Sequence, residues 1–223
     1  MTLRTLALPI LSVNVGLPAY LGRVRGEAVE SGIAKRPVVA GTIRLEPTNL
    51  AGDGQADLSV HGGPDKAVYA YCATHWPAWQ RELSLQAKPG TFGENLTLDG
   101  AGEEDIHIGD VFSWGAARLA VTQPRQPCFK LALHLGRADI GAAMIKSGRC
   151  GFYLRVIETG TVPVQDARLT RCTHEADAPS VRAIFAKYYD SKTPAAELRQ
   201  LAATPGLSAE WHRALEAKAT ARG

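Results

Sequence analysis

The chain is poor in cysteine, in long apolar runs and in charge of one sign, and each shortage excludes something. Its four cysteines, Cys72, Cys128, Cys150 and Cys172, are widely spread with no CxxC pair. That spacing argues against a structural zinc site, and so few cysteines in 223 residues do not make a disulfide framework. A reducing, cytoplasmic setting fits this usage. No apolar stretch is long enough to cross a bilayer. The formal net charge is only +3 and no long cation run occurs, which points away from a nucleic-acid polymer and from a membrane as partner. The GxSxG elbow of hydrolases, the Walker loop and the GxGxxG dinucleotide fingerprint are missing, as are internal repeats and low-complexity tracts.

What is present, up to about residue 172, is a series of short strands broken by Gly, Pro and Asp turns. Arg4 followed by apolar residues has the outline of a secretory signal, but Pro9 and Asn14 interrupt it. The alternation of Leu6, Leu8 and Ile10 predicts a strand over Leu6 to Val15 instead. Further strands are predicted over Val38 to Leu45, Val68 to Tyr71, Ile106 to Trp114 (with a bulge at Gly109-Asp110), Arg118 to Thr122 and Gly151 to Ile157. Two helices interrupt them, Thr74 to Leu83 with Thr74 as N-cap, and Asp139 to Lys146. This is a mainly β pattern, a barrel or sandwich with a few helices.

Composition shifts near Thr173 to Pro179, so the chain divides into a β domain over residues 1–172 and an all-α appendage over 173–223. Ser180 caps the first appended helix, which carries Val181, Ile184, Phe185 and Tyr188 on one face. Thr193-Pro194 is a cap-plus-first-position start for the second, and Ser208 caps the third, with Trp211 and Leu215 on one side. None is long enough to be stable alone, so they must pack on each other or on the barrel. Monomer and homodimer are both left open.

Four stretches could carry chemistry. In Gln123-Pro-Arg125-Gln-Pro-Cys128-Phe-Lys130 a cysteine follows two prolines and lies between two cations. The prolines stiffen the loop, and positive charge beside a thiol favours the thiolate, the form that attacks or binds metal. A half-buried structural cysteine is the plainer alternative. In His61-Gly62-Gly63-Pro64-Asp65-Lys66 the glycines could turn backbone N–H groups into an anion-binding concavity beside the Lys66 charge, or form a plain turn. Gly93-Glu94-Asn95 places an acid and an amide after a glycine that permits close backbone approach. Lys35-Arg36 follows a glycine turn, either as a site cation or as a solvated pair. The other cysteines lack cationic neighbours and read as structural. The histidines other than His61 share no spacing and read as surface or core residues.

Taken together, Asp53 to Ala67, Gly93 to Leu96 and Gln123 to Leu131 resemble the motif set of MOSC domains. The order is closest to the stand-alone YiiM type: a Gly-Ile-x-Lys turn, HGGPDKA, GENL, GDxFxWG (Gly109 to Gly115), the QPRxPC loop and then three helices. The resemblance covers nearly the whole chain. It implies a MOSC-type β-barrel with a cavity for the molybdenum cofactor, and a single cysteine thiolate, Cys128, as molybdenum ligand. It further implies reduction of N-hydroxylated compounds, N-hydroxylated purine bases among them, to amines, with electrons from a separate flavin or iron–sulfur donor protein. By position, Lys35, His61, Gly62, Gly63, Lys66, Glu94, Asn95, Arg125, Cys128 and Lys130 would form the cofactor site. His61 and Glu94 are the proton-donor candidates beside Cys128. A cofactor carrier or sulfur-transfer module, without reductase activity of its own, is the alternative, and a metal-free catalytic thiol lacks a partner signature.

Overall fold

The computed structural model describes residues 6–56 and 62–223; His61 lies outside them. Strands run in the order β1 (Ala7–Val15), β2 (Ala19–Val24), β3 (Glu27–Ser31), β4 (Arg36–Pro37), β5 (Thr42–Leu45), β6 (Val68–Cys72), β7 (Leu96–Leu98), β8 (Val111–Trp114), β9 (Ala117–Pro124), β10 (Phe152–Glu158), β11 (Gly160–Pro163) and β12 (Arg168–Thr173). Between them lie α1 (Trp76–Leu83), α2 (Phe129–Leu135) and α3 (Ile140–Ser147), and after them α4 (Val181–Tyr189), α5 (Ala195–Ala202) and α6 (Ala209–Thr220).

Seven strands pair in the ring β12-β8-β9-β10-β6-β7-β1, and β1 closes it by pairing back to β12. Closure leaves no free edge in the wall. All contacts around the ring are antiparallel except β6 with β7. In β1 the period of two holds as the sequence predicts: Leu8 and Ile10 face the core and their neighbours face out. The core is rich in large rings, with Trp79, Trp114, Tyr71, Phe92, Phe112 and Phe152 fully buried.

The structure corrects four expectations. Only Thr42–Leu45 of the Val38 to Leu45 stretch is a strand, paired with β11 outside the barrel; Val39 is 92% exposed, so its alternation marks no wall. The expected strand from Ile106 starts only at Val111. The fully buried Asp110 carboxylate accepts from the His107 N–H (3.1 Å) and from the Glu175 N–H (2.9 Å), and so folds the preceding residues into a turn. Thr74 does not cap α1; its hydroxyl donates to the Ala101 carbonyl and the helix begins at Trp76. Thr193 likewise donates to the Lys187 carbonyl, leaving Pro194 at the cap position of α5. Strands β2, β3, β4, β7, β11 and β12 and helix α2 were not predicted: β7 and β12 are short wall strands, and the hairpin β2–β3 is largely exposed with no clear apolar alternation.

The two serine caps form as predicted. Ser180 Oγ accepts from the Ala183 N–H (3.1 Å) and Ser208 Oγ from the Trp211 N–H (3.2 Å). Val181, Ile184, Phe185, Trp211 and Leu215 are all fully buried, and the large exposed hydrophobics lie outside the appendage. The appendage is stitched to the barrel by backbone: Val181 N–H donates to the Ile106 carbonyl (2.8 Å) and Ser208 N–H to the Thr122 carbonyl (3.1 Å). Among the described residues no helix is long and apolar enough to cross a membrane, and all four cysteines are free thiols.

Candidate cofactor site

Where β1 ends, β6 and β7 begin and β9 ends, the loops leave a cavity with about 600 Å³ of empty space, its open mouth included. Lys35, Lys66, Arg125, Lys130, Asn95 and Cys128 all line it, so residues from four separate stretches of sequence meet in one place.

Each arrives by a local device. After β9 the chain turns through Arg125-Gln-Pro127, and Cys128 then stands in extended conformation at the N-cap of α2 (φ −129°, ψ 160°). The Arg125 N–H donates to the Gly151 carbonyl (3.2 Å), which pins the loop to the start of β10. Gly63 has φ of +97°, a conformation that disfavours a side chain, and it turns the chain into the one-turn helix Pro64–Lys66 that delivers Lys66. Gly62 and Gly63 shape that turn but stand outside the lining. Gly93, at φ +78°, lies so close to Ile33 that a Cβ there would press on the Ile33 side chain, joining the Gly93-Glu94-Asn95 loop to the Lys35 turn.

A buried polar network forms part of this wall, and Asp53 lines the cavity with Lys35 and Asn95. Lys35 forms an ion pair with Asp53, whose side chain is fully buried. Asp53 also accepts from the Gly16 N–H (2.8 Å) and from Asn95 Nδ2 (2.9 Å), and Asn95 Oδ1 accepts from the Tyr69 N–H (3.0 Å). Burial lowers the pKa of Lys35 despite the opposing pull of Asp53.

Arg125 is 5% exposed and has no carboxylate partner among the described residues. Its guanidinium touches Met144 Sδ at 3.6 Å and sits 5.4 Å from the centre of the Tyr69 ring. Tyr153, the cross-strand neighbour of Tyr69, lines the same wall, and burial pushes its hydroxyl up to about 12 against the favourable charge of Arg125. These two tyrosines were missed by motif reading. The signal was their matching positions on two predicted strands, legible only once the strands are known to pair.

Glu94 is placed differently from the role expected of it. It is fully buried, stands outside the cavity lining, and its carboxylate accepts from the Gly90 N–H (2.8 Å), the Phe92 N–H (3.0 Å) and the Thr97 hydroxyl (2.8 Å). It shapes the turn that carries Asn95 instead of facing a substrate. Burial pushes its carboxyl up to about 7, against three donors that favour the charged form. A raised folded-state pKa gives stability that is complete below about pH 4.5 and lost as pH rises through about 7. Wild type should therefore lose more stability between about pH 5 and about pH 8 than Glu94→Gln, which does not titrate. Calorimetry at both pH values checks this, and parallel losses would show that Glu94 does not change charge there.

Of the remaining cysteines, Cys72 and Cys150 are buried as expected, while Cys172 is exposed on β12. His75 meets Glu103 (2.7 Å) and His174 meets Asp110 (2.9 Å), away from the cavity.

This is a small closed β-barrel protein with a cationic, thiol-bearing cavity among its loops and a helical appendage bonded to it. Residues 57–167 match the MOSC domain and residues 179–218 the YiiM-like, 3-alpha helix domain. The chain is 41% identical to the uncharacterized protein YflK of Bacillus subtilis over 203 residues, covering 91% of this chain and 90% of that one. It is 36% identical to the protein YiiM of Escherichia coli, covering 88% and 89%. A fungal protein named reductase, from Gibberella moniliformis, is 32% identical over 162 residues, which is 69% of this chain but 28% of that protein. The crystal structure of YiiM from Geobacillus stearothermophilus superposes with a TM-score of 0.79 at 32% identity, covering 95% of this chain and 99% of that one. The chain belongs to the MOSC domain family and carries the YiiM-like three-helix domain. Membership associates it with molybdenum-cofactor chemistry.

The lining suits such a group. A thiol able to join a sulfur-ligated metal, a buried guanidinium without an acid partner among the described residues and three further cations for an anionic tail occur in one cavity.

Proposed function

We propose that this protein is a molybdenum-cofactor-dependent reductase of N-hydroxylated compounds, such as N-hydroxylated purine bases, which it converts to amines. The observation that carries the reading is the meeting in one cavity of Cys128 with the buried Arg125, which has no carboxylate partner among the described residues. A bound cofactor would supply the oxygen-atom and electron transfer, and the protein supplies position, charge and exclusion of water. Cys128 presents its sulfur as a metal ligand from a loop held by the Arg125–Gly151 hydrogen bond. Arg125 and Lys130 would supply cationic donors to the anionic parts of the cofactor, its phosphate included, and Lys66 from the glycine turn would add charge at the same wall. Lys35, tied to Asp53, would offer a fixed donor to the polar edge of a pterin ring, while Asn95, whose amide donates to Asp53 and to the Asn14 carbonyl, holds that wall in place.

Cleaving an N–O bond to give an amine and water consumes two electrons and two protons. With Glu94 turned away from the cavity, His61 is the remaining proton-donor candidate. The electrons come from a separate flavin or iron–sulfur protein: the chain has no motif for either group, and the described residues hold no cluster of metal-ligating side chains. The reducing cytoplasm suits four free thiols.

The test is direct. Protein purified from a host that makes the cofactor is expected to contain molybdenum, to release a fluorescent pterin on oxidation, and to reduce N-hydroxylaminopurine with an electron donor. Bound pterin without reduction would favour a carrier role. Neither metal nor pterin in such preparations would sink both.

A further inference from the structure

Lys66 lines the cavity, yet its ammonium is met from the appendage: it forms an ion pair with the carboxylate of Glu210, the second residue of α6. The two partners differ in freedom. The lysine side chain is 9% exposed and held in the wall, whereas that of Glu210 is 40% exposed and has solvent to turn into. The start of α6 is fixed by Ser208, which is itself fully buried and bonded to the Thr122 carbonyl. The Thr122 hydroxyl in turn donates to the Asp65 carbonyl (2.7 Å), one residue before Lys66. Asp65 directs its carboxylate to Arg155 (2.6 Å). Strand end, lysine turn and helix start are thus one bonded unit, from which the Glu210 side chain can swing without moving the helix.

We infer that Glu210 is a resident counter-ion for Lys66, which an entering phosphomonoester-type dianion must displace or oppose, so that the appendage sets the anion affinity of the cavity. This rests on the reading of the cavity as an anion site. A carboxylate in ion-pair contact with a cavity lysine competes with any second anion for the same ammonium and repels it. Its partial exposure lets water screen that repulsion, so the effect is moderate.

The measurement is inorganic phosphate binding by calorimetry at low ionic strength, on the full chain made in a host without molybdenum cofactor. Glu210→Gln is expected to bind phosphate roughly three- to tenfold more tightly than wild type, the size set by a partly screened charge pair. Glu210→Ala should do the same, and Arg125→Met should bind much more weakly, placing the phosphate in this cavity. With Lys66→Met already present, Glu210→Gln should have little effect. Equal or weaker binding by Glu210→Gln and Glu210→Ala, with wild type still binding, would overturn the counter-ion role and leave the anion site intact. So would tightening that persists without Lys66. Failure of every form to bind phosphate would overturn the anion site and the inference together.

Discussion

Replacing Cys128 with alanine is expected to reduce N-hydroxylaminopurine turnover by at least about 100-fold, a loss of about 2.7 kcal/mol in transition-state stabilisation. Cys128 is the one cysteine in the cavity lining, so no second thiol stands ready to replace it. Its side chain is only partly buried, and truncating it should cost folding stability less than about 1 kcal/mol. The informative result is therefore a split: turnover and molybdenum content collapse while the melting temperature barely moves. Cys128→Ser should show the same split, because a serine hydroxyl ionises far less readily than a thiol and supplies no thiolate to the metal. A fully active Cys128→Ala would return the residue to the plain role of wall cysteine.

The second large effect concerns stability. Asp53→Ala removes the carboxylate that neutralises Lys35 and that accepts from Gly16 and Asn95. Breaking a buried pair from one side leaves an uncompensated charge and costs about 3–5 kcal/mol. In a chain of this size that lowers the melting temperature by roughly 10 °C. Adding Lys35→Met should recover part of the loss, since the unpaired charge then disappears. Thermal unfolding of the single and double variants distinguishes this from simple loss of packing. A double variant less stable than Asp53→Ala would show that Lys35 is not the source of the penalty.

Much of the site is legible in the sequence alone, because its chemistry is carried by unusual local sequence. Two prolines beside a cysteine, a glycine pair before a lysine and a glycine before Glu94-Asn95 each constrain the backbone within a few residues. Such constraints need no tertiary information. The serine caps of the first and third appended helices are readable for the same reason. By contrast, the Val38 to Leu45 alternation predicts a longer strand than forms, since period two reports a half-buried surface and cannot say what covers it.

By itself the sequence determined the β pattern with its helical tail, the family resemblance and the gathering of Lys35, Lys66, Asn95, Arg125 and Cys128 as one candidate set. Only the tertiary structure decided where side chains point. Glu94, adjacent to Asn95 in sequence, turns behind the wall because three donors await it there, while Asn95 remains in the lining. Tyr69 and Tyr153 join the site because β6 and β10 pair in register. Lys66 meets Glu210, 144 positions later in the chain (210 − 66), because closure of the barrel and docking of α6 bring the two together. Motifs report backbone constraints over a few residues. Contacts between distant side chains depend on strand register and helix docking, which no short stretch encodes.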